Sequence, residues 1–171
     1  MEIERVEVYP VTLRYKEPFR IAPGASIESN NILVKVYTDN GFIGLGESSP
    51  SKRVTEETSE TVIKTLDEII PKIIGENPLR IEQLTEIMDL TVKGNPAAKA
   101  AVDIALHDIL GKACRKPLFT IMGGYRTEVL TDITLGIKSP KEMAEDAVKA
   151  VKKGFKAVSY THLTLPTICS V

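Results

Sequence analysis

The sequence lacks tryptophan, has few other aromatic residues and contains only two cysteines among its 171 residues. Cys114 falls inside a predicted helix and Cys169 near the end of the chain, so the pair does not form the disulfide framework of a small secreted domain. Neither charge is in excess, because 22 Lys and Arg residues face 23 Asp and Glu residues. This balance offers no basic surface for nucleic acid or for an anionic membrane.

Long apolar runs are also missing. No stretch approaches the ~20 residues that a membrane-spanning helix needs, and the acidic N-terminus is unlike a signal peptide. The content of 43% hydrophobic and 26% charged residues is that of an ordinary globular protein. We therefore expect a cytoplasmic protein with no nucleic-acid or membrane partner.

An alanine-rich helix predicted over 97–114 is the strongest pattern in the chain. Asn95 precedes it as a candidate N-cap and Pro96 takes the first helical position. Residues around most of its girth are apolar, which predicts a buried helix, and its alanines allow other backbones to approach closely. We interpret it as a joint between packed bodies, with an ordinary core helix as the alternative.

Three segments with strand patterns precede this helix and predict an antiparallel meander. They cover 2–13, 31–38 and 42–47. In the second segment Ile32, Val34 and Val36 face one way and Leu33, Lys35 and Tyr37 the other, and a hairpin turn is predicted at 39–41. Glycines in the third segment indicate a bulge or close backbone approach.

Two irregular segments, 16–30 and 47–55, interrupt the meander. Long loops that project from a rigid sheet are often functional. The alternative is that both simply fold over the sheet edge.

Helical periodicity returns at 56–74 and 79–90, which completes an α+β body. The later chain then reads as strand, helix and strand, the repeat of a parallel sheet or barrel. The predicted pieces of that repeat are a strand at 129–137, a helix at 141–153 that begins with Ser139 and Pro140, and a strand from 155.

The segment AAKAAVDIALHDILGKACRKPLFTIMGG, at 97–124, resembles the signature helix of the mandelate racemase and muconate lactonizing enzyme branch of the enolase superfamily. The flanking segments KEPFRIA, DNGFIGLGESSP and TDITLGIKSPKEMAEDAVKAVKKGFKAV extend the resemblance over 1–157. Within the branch, EPFRIA together with GESSPSKRVTEET is most similar to dipeptide epimerases of the L-Ala-D/L-Glu type. Three alternatives stay open: o-succinylbenzoate synthase, muconate cycloisomerase, and a non-catalytic binding module with the same fold.

The resemblance implies an α+β capping domain, or lid, built from a three-stranded antiparallel meander and a helical bundle. The start of a truncated TIM-type (β/α) barrel would follow it. The domains would be a lid at 1–124, a first βα unit with the start of the second strand at 125–158, and a tail at 159–171. Enzymes of this branch remove a proton next to a carboxylate with a Lys or His base, while a divalent metal, usually Mg²⁺, stabilises the enediolate. The epimerases among them use two lysines, one on each face of the carbon.

Neither the family's lysine bases nor its metal carboxylates have counterparts in this chain, so no catalytic residue and no metal ligand is predicted. Mg²⁺ is expected in a full-length protein only, a dipeptide is the expected small-molecule partner, and a homo-oligomer of the full-length form stays open. The chain itself is expected to be inactive.

The tail departs abruptly from the family pattern. A Lys-x-Lys is expected just after Ala157, yet no charged residue occurs from there to Val171. One frame of the sequencing-transposon end GTCTCTTATACACATCT would encode VSYTHL, which is the sequence at 158–163. We interpret 159–171 as non-native readthrough, with a divergent native C-terminus as the alternative.

The resemblance places substrate selection in the two lid loops and on the first barrel strand. The predicted substrate contacts are Phe19, Arg20, Ile21, Lys52, Arg53, Val54 and Thr134. The apolar members would form a wall for a dipeptide side chain, and the cationic members would meet a carboxylate. For Thr134 a structural role is the alternative. Some L-Ala-L-Glu epimerases carry an arginine where this chain has Gly24 or a neighbour, which weakens the case for a glutamyl substrate.

Overall fold

The computed structural model describes residues 1–21 and 24–160 and divides the chain into two compact units. The first unit comprises Met1–Leu13 and Ser29–Tyr125, and the second comprises Arg14–Glu28 and the chain from Arg126 onward. The segment Arg14–Glu28, which the sequence assigns to the lid, is thus grouped with the predicted barrel repeat.

The described residues form five strands and five helices in this order along the chain. The strands are β1 (Ile3–Ile21), β2 (Gly24–Thr38), β3 (Ile43–Ser48), β4 (Ile133–Leu135) and β5 (Val158–Tyr160). The helices are α1 (Ser59–Ile73), α2 (Ile81–Thr91), α3 (Pro96–Cys114), α4 (Leu118–Ile121) and α5 (Pro140–Lys152). None of these helices combines the length and the apolar character needed to cross a membrane.

The sheet of the first unit has the order β1-β2-β3, as the predicted meander requires. Antiparallel pairing of β2 with β3 runs from Tyr37 opposite Ile43 to Ile32 opposite Ser48. The turn between them contains Gly41 at φ 86°, in the left-handed region that glycine adopts without strain. The three residues that the alternation predicts for the buried face of β2 are completely inaccessible to solvent, and Thr38 on the same face is also buried.

The predicted long loop at 16–30 is wrong. Strand β1 continues to Ile21 and β2 begins at Gly24, so the two strands extend well beyond the end of β3. Pro18 lies within this part of β1. Proline is tolerated in β1 because that strand lies at a sheet edge. We call the portion of β1 from Arg14 to Ile21 the hairpin arm.

Helices α1, α2 and α3 bury their apolar faces against the sheet and one another. The core contains Ile3 and the inner residues of β2, joined by Val62, Leu66, Ile69, Ile73, Leu84, Met88, Val102, Leu106 and Ile109. Predicted helix starts at 56 and 79 are early: α1 begins at Ser59 and α2 at Ile81. Thr58 supplies the N-cap of α1 in a capping box with Thr61, which explains its later start.

Helix α3 lies directly on β3, which confirms the close approach predicted from the glycines. A methyl group on Gly44 would lie 2.1 Å from the carbonyl oxygen of Ala105, and one on Gly46 would lie 1.8 Å from that of Ala101. Both distances are far inside van der Waals contact. The alanines of α3 and the glycines of β3 therefore remove side-chain bulk from both sides of one interface.

In the second unit, β4 and β5 pair in parallel and α5 connects them, which is the predicted βαβ unit. Ser139 caps α5 in a capping box with Glu142, and Pro140 is its first residue, as the sequence predicts. The predicted strand at 129–137 is too long: Val129 and Leu130 are exposed, and β4 begins only at Ile133. The three residues of β4 are the ones that have a pairing partner in β5.

Strand β5 begins at Val158, three residues later than the strand predicted from 155, and it ends at Tyr160. Ser159 and Tyr160, the first residues of the predicted non-native tail, pair with Thr134 and Leu135. The remainder of that tail, 161–171, lies outside the described residues.

Candidate functional site

The predicted substrate contacts fall into two groups, one in each compact unit. Phe19, Arg20 and Ile21 lie on the hairpin arm and share the second unit with Thr134. Residues 52–54 follow β3 in the first unit. Each group therefore belongs to a single unit, and each is held by contacts within that unit.

The hairpin arm is held on the chain that follows β4. The backbone N–H of Ile137 donates to the carbonyl oxygen of Arg20 over 2.8 Å. A methyl group on Gly136 would lie 3.5 Å from the backbone of Arg20 and from the ring of Phe19, which is ordinary contact distance. Phe19 is half-buried and meets Tyr15 edge to face, with 6.4 Å between ring centres. Arg20 is exposed.

The two remaining residues of this group are Thr134 and Ile21. Thr134 lies in the middle of β4 with an exposed side chain. Ile21 is the last residue of β1, and the wall predicted from its side chain lies outside what the structure describes.

Lys138 connects the hairpin arm to α5. Its Nζ lies 2.9 Å from Oε2 of Glu17 and 2.8 Å from Oδ2 of Asp146. Hydrogen bonds to both carboxylates, with Asp146 the stronger influence, raise the pKa of Lys138. The same contact and a further hydrogen bond from Lys149 lower the pKa of Asp146. This ion cluster was not found by sequence reasoning, since its partners are far apart in the chain.

The second group sits on a tight turn after β3. The N–H groups of Val54 and Thr55 donate to the carbonyl oxygen of Ser51 over 3.0 and 2.9 Å. Lys52, Arg53 and Val54 are all exposed, and 74% of Val54 is accessible. We call Ser51–Thr55 the selectivity turn. An exposed apolar side chain beside two cations suits a ligand with both an apolar and an anionic part.

Polar side chains hold the end of β3, just before the selectivity turn. Asn31 donates from Nδ2 to Oε1 of Glu47 over 2.5 Å, and its Oδ1 accepts from the hydroxyls of Ser29 and Ser49. Ser48 between them is buried, and its hydroxyl has no hydrogen-bond partner among the described residues. The end of β3 is therefore tied to the middle of the neighbouring strand β2 just before the turn.

Glu57 holds the chain just after the selectivity turn. It also caps α3, so the prediction that the Asn95 side chain caps this helix is wrong. Asn95 has φ 53° and its side chain makes no capping hydrogen bond. The carboxylate of Glu57 instead accepts from the N–H of Ala97 at 3.1 and 2.9 Å and from that of Ala98 at 3.3 Å. Sequence reasoning missed Glu57 because it lies about forty residues before the helix that it caps.

A divalent metal needs several oxygen or nitrogen ligands converging on one point. Within residues 1–21 and 24–160, no three His, Cys, Asp or Glu side chains come together in this way. The described residues therefore do not fit a Mg²⁺ site.

A three-stranded sheet covered by a helical layer, followed by a single parallel βαβ unit, defines a capping domain joined to the first repeat of a barrel. Residues 3–123 match the family model described as "Mandelate racemase / muconate lactonizing enzyme, N-terminal domain". The match extends over more than half of the chain, and the chain belongs to this family.

Curated relatives carry related activities. The chain is 41% identical to the hydrophobic dipeptide epimerase of Enterococcus faecalis over 91% of its own length and 44% of the relative's. It is 38% identical to the N-succinyl-L-Arg/Lys racemase of Bacillus cereus, over 92% of this chain and 43% of that protein. An L-Ala-D/L-Glu epimerase of Clostridium acetobutylicum is 35% identical, over 92% and 44%. The chain thus spans less than half the length of these relatives.

Solved structures agree with the fold. The dipeptide epimerase from Enterococcus faecalis V583, complexed with Mg and the dipeptide L-Leu-L-Tyr, matches with a TM-score of 0.91 at 40% identity. That match covers 94% of this chain and 45% of the other. The N-succinyl Arg/Lys racemase from Bacillus cereus matches with a TM-score of 0.92 at 37% identity, over 96% of this chain and 45% of the other.

Proposed function

We propose that the chain is the N-terminal, substrate-selecting part of an isomerase that epimerises dipeptides by removing and returning a proton next to a carboxylate. The observation that supports this best is the family match over residues 3–123 together with 41% identity to a dipeptide epimerase. The proton transfer and the Mg²⁺ on which it depends would belong to residues outside those described. This chain would contribute closure over the substrate.

In this proposal the two groups of predicted contacts select the substrate. Phe19 and Val54 would form apolar walls, while Arg20, Lys52 and Arg53 would offer charge to a substrate carboxylate. These side chains do no proton transfer, so they act by excluding water and by holding the far end of the substrate. Their effect should fall on substrate choice and on kcat/KM.

A second candidate is racemisation of an N-acylated basic amino acid. The 38% identity to the N-succinyl-L-Arg/Lys racemase supports it, at nearly the same coverage of this chain. Both candidates share proton removal beside a carboxylate. They differ in what the substrate presents to the selectivity turn: a peptide residue in one case and a succinyl carboxylate in the other.

The test is proton exchange by the complete protein that carries this N-terminal region. Incorporation of deuterium at the α-carbon would be followed by NMR with L-Ala-L-Glu, L-Leu-L-Tyr and N-succinyl-L-arginine, with Mg²⁺ and after its removal by chelation. Mg²⁺-dependent exchange into a dipeptide supports the proposal. Exchange into the succinylated amino acid alone would establish the second candidate, and exchange into none of them would remove both.

Substitutions in the same protein would test the assigned roles. Phe19→Ala should cost ~1–3 kcal/mol of discrimination between dipeptides, the usual range for an apolar pocket contact. Arg53→Ala should weaken Ala-Glu more than Ala-Ala, because only the acidic dipeptide would leave a carboxylate unpaired. Arg80→Ala provides a matched control: it removes an exposed arginine beside α2 that has no assigned role. Equal losses for both dipeptides would exclude Arg53 from the site.

A further inference from the structure

Glu57 is a charged residue buried where charge is unusual. Only 4% of it is accessible, although it lies two positions after an exposed turn. Its carboxylate accepts three hydrogen bonds from the first N–H groups of α3, which have no partner inside the helix. The negative charge also meets the positive end of the helix dipole. Both effects hold the carboxylate at the N-terminus of α3.

The backbone on either side of Glu57 is also constrained. Glu56 has φ 61°, a conformation that side-chain-bearing residues adopt only when their surroundings hold them there. Thr58 is the N-cap of α1 and accepts from the N–H of Thr61. Three consecutive residues are thus fixed between two helices. Glu57 is hydrogen-bonded to α3 and Thr58 to α1, while the backbone of Glu56 is held in the left-handed region between the turn and Glu57.

The selectivity turn is connected directly to this anchor. Its last residue, Thr55, precedes Glu56, and its own hydrogen bonds all converge on the carbonyl oxygen of Ser51. At the entrance, the hydroxyl of Ser49 is held by Asn31. The turn is therefore a short segment that is attached at one end to β2, through Asn31, and at the other end to α3, through Glu57. The direction in which Lys52, Arg53 and Val54 point depends on both attachments.

We propose that Glu57 is a positioning residue for substrate selection: by fixing the exit of the selectivity turn on the N-terminus of α3, it sets the direction of the side chains at 52–54. This inference rests on the proposed function, in which those side chains choose the substrate. Glu57 itself would touch no substrate. Its loss should loosen the turn and change substrate preference, and it should leave the rate-limiting chemistry for a small neutral dipeptide unchanged.

The structural half of the test uses the 171-residue chain and amide hydrogen exchange. In Glu57→Ala, exchange at Val54 and Thr55 should become about tenfold faster, while core amides such as that of Val34 keep their protection. Glu57→Gln keeps one acceptor oxygen and should restore part of the protection, which covers the case in which the alanine variant fails to fold. Glu56→Gln removes a charge from the exposed neighbour and should change neither. Unchanged exchange at Val54 and Thr55 in Glu57→Gln and Glu57→Ala would overturn the inference, and so would a uniform loss of protection across the whole unit.

The functional half uses the complete protein and compares kcat and KM for Ala-Glu and Ala-Ala. Glu57→Gln should change the ratio of the two kcat/KM values about threefold or more through KM, with kcat for Ala-Ala retained. A loosened turn with an unchanged ratio would overturn the role in selection. If the unsubstituted protein exchanges neither dipeptide, it is the proposed function that fails. The exchange data on the shorter chain then still decide whether Glu57 positions the turn.

Discussion

Two glycines of β3 determine how closely α3 can approach the sheet. Gly44 and Gly46 lie under Ala105 and Ala101, and the backbones meet where side chains would normally separate them. Close packing of this kind leaves no room for an added atom. The same helix is the one whose N-terminus is capped by Glu57.

Gly46→Ala should therefore destabilise the chain strongly. The new methyl group would lie 1.8 Å from the carbonyl oxygen of Ala101, and backbone cannot give way as a flexible side chain does. We expect a loss of about 3 kcal/mol or more in the free energy of unfolding, measured by urea denaturation. Gly111→Ala is the matched control: its nearest neighbour would lie at 3.4 Å, and alanine favours a helix interior by up to about 1 kcal/mol. Similar losses in both variants would contradict the packing described.

Asp146 makes the attachment of the hairpin arm sensitive to acid. Hydrogen bonds from Lys138 and then Lys149 lower its pKa in the folded state. Its stabilising contribution is therefore present above the unfolded pKa of about 3.9 and is lost as the pH falls through the lower folded value. Below that range the Ile137 amide, which donates to Arg20, should exchange faster relative to an unfolded reference. Asp146→Asn should show the faster exchange already near pH 6 and a smaller further increase in acid. An identical acid response in both proteins would exclude Asp146 as the cause.

Among the elements, α3 also protects the free edge of the sheet. β3 is an edge strand, and α3 covers part of its outward backbone with side chains. Oδ2 of Asp108 accepts from the N–H of Leu45 over 2.8 Å, and Lys112 donates to the carbonyl oxygen of Ile43 over 2.6 Å. The two side chains also pair with each other. One helix thus supplies both the core packing and the edge contacts of β3.

Asp108→Ala should expose this edge. Loss of the acceptor for Leu45 should cost about 0.5–1.5 kcal/mol of unfolding free energy and should accelerate exchange of the Leu45 amide. Asp108→Asn keeps an oxygen acceptor in the same place, so most of the amide protection should survive. The two variants would be compared by amide exchange and by urea denaturation. Equal exchange of the Leu45 amide in the two variants would mean that this hydrogen bond does not protect the edge.

At the level of the entire chain, the two units would divide the work of the proposed enzyme. The lid body presents the selectivity turn, while the hairpin arm belongs with the first barrel repeat. Selection by the proposed enzyme would then depend on anchors in both units: Glu57 in one and Lys138 in the other. Neither anchor supplies chemistry for the proton transfer itself.

The purified 171-residue chain should accordingly be catalytically silent. The residues that the structure describes hold no cluster of three potential metal ligands, and the reaction needs a metal and its acid–base groups together. NMR should detect no exchange of α-protons in L-Ala-L-Glu above the protein-free rate, with or without added Mg²⁺. The complete protein is the positive control. Exchange by the short chain that disappears on chelation would show that its own residues form an active site.

Local sequence patterns were sufficient for most elements. The alternation in β2 predicted its buried face, Ser139 with Pro140 predicted the start of α5, and the glycines of β3 predicted close approach. These features depend on neighbouring residues, whose periodicity and capping chemistry can be read directly along the chain. The residue types of the candidate site came from the family resemblance, and their roles as substrate contacts stay predictions.

Other features of the fold depend on contacts between residues far apart in the sequence. The hairpin arm is strand because β1 and β2 are hydrogen-bonded neighbours that both extend beyond the end of β3. β4 is short because a strand extends only as far as its partner does, and β5 pairs three residues. Glu57 caps a helix forty residues away in place of the adjacent Asn95. Such pairings depend on which segments the fold brings together in space, and no local pattern encodes that.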